Sequence, residues 1–472
     1  MKATQKGTVI EMNMSYKKSL AFILSLLSVF LFILPVTVLA EPETENGEEE
    51  DIYAVPNTDM APYVYLYNIE NDQVIHSSGN LNEQISTCST VKIMSGIVAI
   101  EALGGDLSRT ITLTAELLKE ANAESGNRIG LIEGEIVTAE QMLYGMLANS
   151  ANDAAVILAH MVAEDVDAFV EMMNKKAVEI GAKATYYTDA TGMNPSSVTT
   201  VSDIALIAKY AYRNETFMEI VGTPKYVMEA TNKSDYRNIY NRNCLMSKHY
   251  RSDYYYEGAL GMNAGSTPQG GYCSVTCAVN SDSTLTYLCI IMGAEPIEHE
   301  ESTVKELTNY SYAIALYDWA FRTYGYRSVL SAGSVVCELP VRLSSTADYV
   351  TLVPEKPISV YMPMYADIEK EVSVTYTTED DVAAPVTKGQ KLGVARVIYN
   401  DREIGISDLC ATADVARSEF LFALERIRDF ASGRFFIAAA VSAVILSVCY
   451  VLATARMRQK RLRSRVPRQY RR

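Results

Sequence analysis

Residues 435–455 run for 21 positions without a charged side chain, closed by Arg434 and Arg456. At ~1.5 Å of rise per residue, a helix of that length crosses a hydrocarbon core of ~30 Å. The segment beyond, 456–472, carries nine Arg or Lys and no acid, and basic flanks stay on the cytoplasmic side. The run predicts a single-pass membrane protein with its tail inside and its body outside. The other end agrees. Lys17 and Lys18 precede an uncharged apolar stretch that closes on Val38-Leu39-Ala40, the pattern of a secretory signal peptide over 1–40. An uncleaved anchor is the alternative, but Pro35 breaks the helix just before the small residues.

The formal net charge of −15 averages unlike parts. Residues 41–455 hold 29 Lys or Arg against 56 Asp or Glu. A body near −27 has no footprint for a polyanion, so nucleic acid is excluded as a partner. Eight cysteines are present, Cys449 among them in the apolar run. No CxxC pair occurs, so no zinc knuckle or dithiol motif is indicated. Cys273 and Cys277 share one face of a strand-like run, and the thiols read mostly as small core residues.

Residues 41–60 open on a glutamate-rich linker with little to bury. Segments 63–67 and 73–76 read as a strand pair around an Asn-Asp turn. Apolar helical patterns follow at 90–103, 138–162, 168–180 and 204–212, then strands at 271–279 and 284–291 and a helix over 302–324. Helices between two groups of strands indicate an α/β domain, 61–326. Short strands at 335–341, 349–353, 358–362, 372–376, 393–399 and 403–406 indicate a small β-rich domain, 327–412. A helical stalk over 413–434 leads to the membrane run.

There are only four histidines and no Gly-x-Ser-x-Gly elbow, so a Ser-His-Asp triad has little support. A serine nucleophile then needs another base. Ser89-Thr90-Val91-Lys92 has the spacing: positions i and i+3 share a helical face, and a buried lysine amine can serve. The motif alone is weak. Ser15-Tyr16-Lys17-Lys18 lies in the signal peptide, and Ser302-Thr303-Val304-Lys305 follows a run of glutamates, where Ser302 reads as a surface helix cap. Ser89 instead follows a strand pair and opens an apolar helix. Ser150-Ala151-Asn152 sits where one apolar helix ends and another begins. Its serine can relay a proton, and its amide can hold a substrate carbonyl or the lysine.

In this order the motifs resemble the D-alanyl-D-alanine carboxypeptidases of serine peptidase family S11, the low-molecular-mass penicillin-binding proteins. The resemblance runs from about Ala61 to Ser418. It also rests on the segments Phe169 to Ala177, Thr188 to Pro195 and Thr199 to Ala205, and on Pro385 to Gly393 in the β domain. It implies a penicillin-recognising, β-lactamase-like α/β domain, then a small β-rich domain and a C-terminal transmembrane helix. It implies that Ser89 attacks the bond between the last two D-alanines of a peptidoglycan stem peptide, with Lys92 taking its proton. Ser150 and Asn152 would assist, and the backbone N–H groups of Ser89 and Ser266 would form the oxyanion hole. β-Lactams would be acylating inhibitors, and no cofactor or metal is implied.

One departure stands out. The family's Lys-Thr-Gly segment, which binds the terminal carboxylate, is here Asn263-Ala264-Gly265. Asn263, Gly265 and Ser266 remain the expected substrate-binding positions, and Lys248, His249 and Arg251 are the nearby cations. Two readings follow. One is a working carboxypeptidase on the outer face of the cell membrane; the other is an impaired relative that binds wall peptides or a partner protein. A β-lactamase is a third, but the long β domain and anchor are unneeded for destroying a soluble drug.

Overall fold

The computed structural model describes residues 51–123, 125–298 and 304–463. The signal peptide expected over 1–40, the glutamate run up to residue 50, Ser302 and the tail beyond residue 463 lie outside the described residues.

Five strands build the central sheet: β1 (Tyr63–Asn68), β2 (Gln73–Ser78), β3 (Ala259–Thr267), β4 (Gly271–Val279) and β5 (Thr286–Ala294). They pair antiparallel in the order β2-β1-β5-β4-β3. The central strand β5, sequence TYLCIIMGA, is buried along almost its whole length, since both faces of the sheet are covered. Its alternate residues serve two cores. Leu288, Ile290 and Met292 pack with the helical layer, while Tyr287, Cys289 and Ile291 face a helix over Thr308–Thr323.

The helical layer is built on α1 (Val91–Leu103), whose residues 91–100 are all buried. Its sequence carries no charge except Lys92 and Glu101, as a helix surrounded by protein requires. Around it stand α2 (Ala139–Leu147), α3 (Asn152–Val162), α4 (Val166–Ile180) and α5 (Val201–Tyr212). The apolar stretch 138–162 divides into two helices at the point the sequence indicates. Ser150 adopts a left-handed backbone, φ +57°, and breaks it. Thr138 and Gln141 form a reciprocal cap at the start of α2.

The helix expected to begin at Ser302 begins at Thr308. Ile297 and Glu306 bond each other's backbones in both directions, at 3.1 and 2.8 Å, which keeps the chain extended up to Leu307. The strand Tyr324–Leu330, not anticipated, follows this helix directly and pairs with Ile358–Pro363. The other strands of the β domain form a six-stranded sheet, and the domain has its own apolar core. Tyr361 reaches across to the peptidase domain, where its hydroxyl lies 2.7 Å from that of buried Tyr287. The stalk helix begins at Glu419, later than expected, because Val415 and Val386 exchange two backbone hydrogen bonds and hold 413–417 in the β domain. The last helix, Arg434–Arg463, contains a span, Arg434–Arg461, long and apolar enough to cross a membrane.

A buried ion pair joins two hairpins beside the helical layer. Arg237 donates to Glu135 through both terminal nitrogens, at 2.7 and 2.9 Å, and Thr231 Oγ1 and the Ile132 N–H add bonds of 2.8 and 3.0 Å. The strand opened by Arg237 leads straight into Asn241-Arg242-Asn243. Burial raises the Glu135 pKa, but the bonds from Arg237, Thr231 and Ile132 outweigh it and hold the carboxyl below its usual range. Its contribution to stability is therefore present above the ordinary glutamate pKa of ~4.3 and fades as pH falls through the folded value. Arg237→Ala, which strands the carboxylate, is expected to cost about 3–5 kcal/mol in urea unfolding. Glu135→Gln should flatten the acid limb of the stability curve, measured by the same unfolding series between pH 6 and 3.

Candidate active site

The connection from β2 to α1 ends in a 3-10 turn, Cys88–Thr90, that leads into the helix. Cys88 has a left-handed backbone, φ +46°, which turns the next residue outward. Ser89 is thus half-exposed while Cys88 and Thr90 on either side are buried. Two glycines hold this turn. A Cβ on Gly265 of β3 would lie 2.6 Å from both Cβ and Oγ of Ser89. A Cβ on Gly192, φ +84°, would lie 1.8 Å from the Cys88 carbonyl oxygen. Only glycine lets both segments approach so closely.

Lys92 lies on the turn of α1 that begins just after Ser89 and is 1% exposed. Its Nζ donates to the Thr191 carbonyl at 2.6 Å. That carbonyl is delivered by a loop with few apolar residues, so its order comes from side-chain bonds. Asp189 Oδ2 accepts from Thr191 Oγ1 and from the N–H groups of Gly192 and Met193, at 2.7, 2.7 and 2.8 Å. Its other oxygen accepts from Ser197 Oγ at 2.8 Å. Asn174 of α4 exchanges two 2.8 Å bonds with the Tyr187 backbone, and Asp203 of α5 accepts from Ala184 N–H at 2.8 Å. The segments that carry the resemblance around 174, 189 and 203 thus converge on one loop.

The break between α2 and α3 supplies two more groups. Ser150 and Asn152 are 9% and 3% exposed. Asn152 Nδ2 donates to the Ser125 carbonyl at 2.6 Å, and the next residue, Asp153, accepts the Ile129 N–H at 3.0 Å. Both bonds pin the 125–130 segment over the cleft.

Ser89, Ser150, Asn152, Gly265 and Ser266 line one cleft of about 280 Å³, together with Ala264, Asn127, Tyr250 and Arg242. Lys92 lies behind this wall. Asn263 does not line the cleft: it is 2% exposed, and neither amide atom has a hydrogen-bond partner among the described residues. Ala264 occupies the lining position instead. The nearby cations are turned elsewhere. Arg251 is taken up by Asp253 at 3.0 Å and by the Tyr254 ring, Lys248 lies 4.4 Å from the Tyr255 ring, and His249 lies against Tyr240.

Arg242, which sequence reasoning missed, does face the cleft. Its guanidinium carbon stacks 4.2 Å from the Tyr250 ring centroid. Its backbone is fixed by an N–H bond of 2.8 Å to the Ala148 carbonyl, and its neighbour Asn241 donates at 2.9 Å to Val221. The signal was present as a cation bracketed by two asparagines, both of which are buried.

Residues 57–295 match the sequence profile of the D-alanyl-D-alanine carboxypeptidases, and 324–417 match that of the penicillin-binding protein 5 C-terminal domain. The chain belongs to the D-alanyl-D-alanine carboxypeptidase family. Among its relatives is a D-alanyl-D-alanine carboxypeptidase of Bacillus subtilis, 27% identical over 354 residues, which cover 74% of this chain and 84% of that protein. Another, from Mycobacterium tuberculosis, is 30% identical over 238 residues, 49% of this chain and 73% of that one. The fold is shared with penicillin binding protein 5 from Haemophilus influenzae, with a TM-score of 0.53 at 22% identity, covering 77% of this chain and all of that one.

The family loop is expected to depend on the missing Cβ at Gly192. Gly192→Ala adds a left-handed strain and a backbone overlap, and should lower stability by about 1–3 kcal/mol, read as a shift of the urea midpoint at unchanged slope.

Proposed function

We propose that the chain is a serine-type D-Ala-D-Ala carboxypeptidase acting through an acyl-enzyme on Ser89. The observation that carries this reading is the convergence of Ser89, Ser150, Asn152 and Gly265 on one cleft, with Lys92 buried immediately behind it. Ser89 Oγ attacks the carbonyl carbon of the penultimate D-alanine of a stem peptide, and Lys92 takes the hydroxyl proton. The backbone N–H groups of Ser89 and Ser266 receive the developing oxyanion. Ser150 passes the proton to the departing D-alanine nitrogen, and Asn152 orients the peptide. Water then attacks the ester and frees Ser89. β-Lactams, which present an acyl group to the same serine, are inhibitors in this reading.

Arg242 takes the part of the missing lysine and threonine. It is a fixed guanidinium on the cleft wall, with a stacked aromatic to hold its plane and no carboxylate bonded to it among the described residues. A guanidinium meets a carboxylate with two parallel hydrogen bonds, so it suits the free end of the substrate. The Arg434–Arg461 span anchors the enzyme and leaves the cleft on the outer side of the membrane.

A second reading draws on the Asn263-Ala264-Gly265 segment. With Asn263 buried and Ala264 on the wall, the strand edge itself offers no side-chain donor to a carboxylate. A chain that binds wall peptides without cutting them would show the same strand.

D-Alanine release from a stem pentapeptide by the detergent-solubilised full chain separates the two. The enzyme reading expects release that vanishes in Ser89→Ala. Arg242→Ala should lower kcat/KM about 10- to 100-fold, the effect of losing a charge-assisted bond worth roughly 1.5–3 kcal/mol. Binding of the pentapeptide with no release from the wild-type chain would establish the second reading instead.

A further inference from the structure

Two thiols meet directly behind the nucleophile. Cys88 precedes Ser89, and Cys273 on β4 pairs with Gly265, the residue pressed against Ser89. Their sulfurs are 3.3 Å apart although the residues are separated by 185 positions. Both are fully buried and both are free thiols. We propose that Cys88 and Cys273 are a redox site, closing into a disulfide that ties the nucleophile turn to β4 and displaces Ser89.

The contact is built for this. Cys273 donates its S–H to Cys88 and also lies 3.2 Å from the Gly270 carbonyl oxygen. Cys88 Sγ lies 3.4 Å from Thr267 Oγ1. The bond from Cys273 is the main cause that holds the Cys88 thiol below its ordinary value, at about 7, while the same bond and burial push Cys273 up. Cys88 is thus the thiolate that attacks first.

An approach exists on the side away from Ser89. Thr267, Gly270 and Ser86, three neighbours of Cys88, line a second cleft of about 580 Å³. A Cβ on Gly270 would lie 2.1 Å from Cys88 Sγ, so only its bare backbone stands between the sulfur and that cleft. Hydrogen peroxide reaches the sulfur from this cleft when the Gly270 backbone moves aside. The Cys88 thiolate attacks the peroxide O–O bond, giving a sulfenic acid and hydroxide, which takes up the thiol's proton to leave as water. Cys273 sulfur then displaces the sulfenic oxygen, which departs with the Cys273 proton as a second water. Two electrons pass from the two thiols to the peroxide, and a thiol reductant reverses the change. The proposed topology puts these thiols in the outer compartment, where oxidants are available.

A disulfide has an S–S length of about 2.05 Å, so closure from 3.3 Å draws the sulfurs together by more than ~1 Å. Displacement of that size at a reacting group costs about 10²-fold in rate. The effect on acylation rests on Ser89 being the nucleophile, whereas the cross-link does not.

The full chain in detergent, reduced with dithiothreitol and then treated with hydrogen peroxide, is the test. Peptide mass mapping should find the peptides of Cys88 and Cys273 joined, and labelling by a fluorescent penicillin should slow about 100-fold and recover on reduction. Cys88→Ala should keep its labelling rate after peroxide. Cys273→Ser, whose hydroxyl keeps a donor to Cys88, should stop at the Cys88 sulfenic acid, trapped by dimedone. Peroxide-treated protein without the cross-link overturns the proposal, as does cross-linked protein that labels as fast as the reduced form. If the reduced chain is not labelled at all, the proposed catalytic role of Ser89 falls, and the mass map alone decides the redox site.

Discussion

The contact between Ser89 and the edge of β3 is the constraint around which the peptidase domain is arranged. Ser89 is presented by a turn of three residues, and that turn fits only because Gly265 and Gly192 bring no side chain to it. The approach couples two halves of the fold. On one side stands the helical layer with residues 91–100 of α1 buried in it; on the other stands the edge strand of the central sheet. Close packing of this kind transmits small movements, because interiors have few voids to absorb them. It is how a bond between Cys88, next to Ser89, and Cys273 would reach the serine.

The same logic explains the polar loop behind Lys92. A buried amine needs a fixed acceptor, and the Thr191 carbonyl provides one. That carbonyl belongs to a loop with little apolar surface, so Asp189, Asn174 and Asp203 order it with hydrogen bonds. These residues do not line the cleft. They act on the Lys92 amine through the position of a single backbone oxygen.

The altered strand motif leaves the cleft to draw its positive charge from another element. On β3, Asn263 turns into the protein and Ala264 faces the cleft, so neither offers a cation. Arg242, at the end of a hairpin held by the buried Glu135–Arg237 pair, brings a charge to the same wall from another direction. The charge balance of a site is a property of the cleft, not of one strand.

Much of this was written in local pattern. The uncharged run before the basic tail, the largely apolar α1, the Ser-x-x-Lys spacing and the short strands of the β domain each depend on neighbours within a few residues, where periodicity is visible. The break at Ser150 was legible because two apolar helices met there. Tertiary structure alone decided the rest. It buried Asn263, moved the start of the 308–323 helix through a bond between Ile297 and Glu306, and brought Arg242 to Ser89 and Cys273 to Cys88. These adjacencies follow from sheet register and from where hairpins dock, which join residues far apart along the chain and leave no period in the sequence to read.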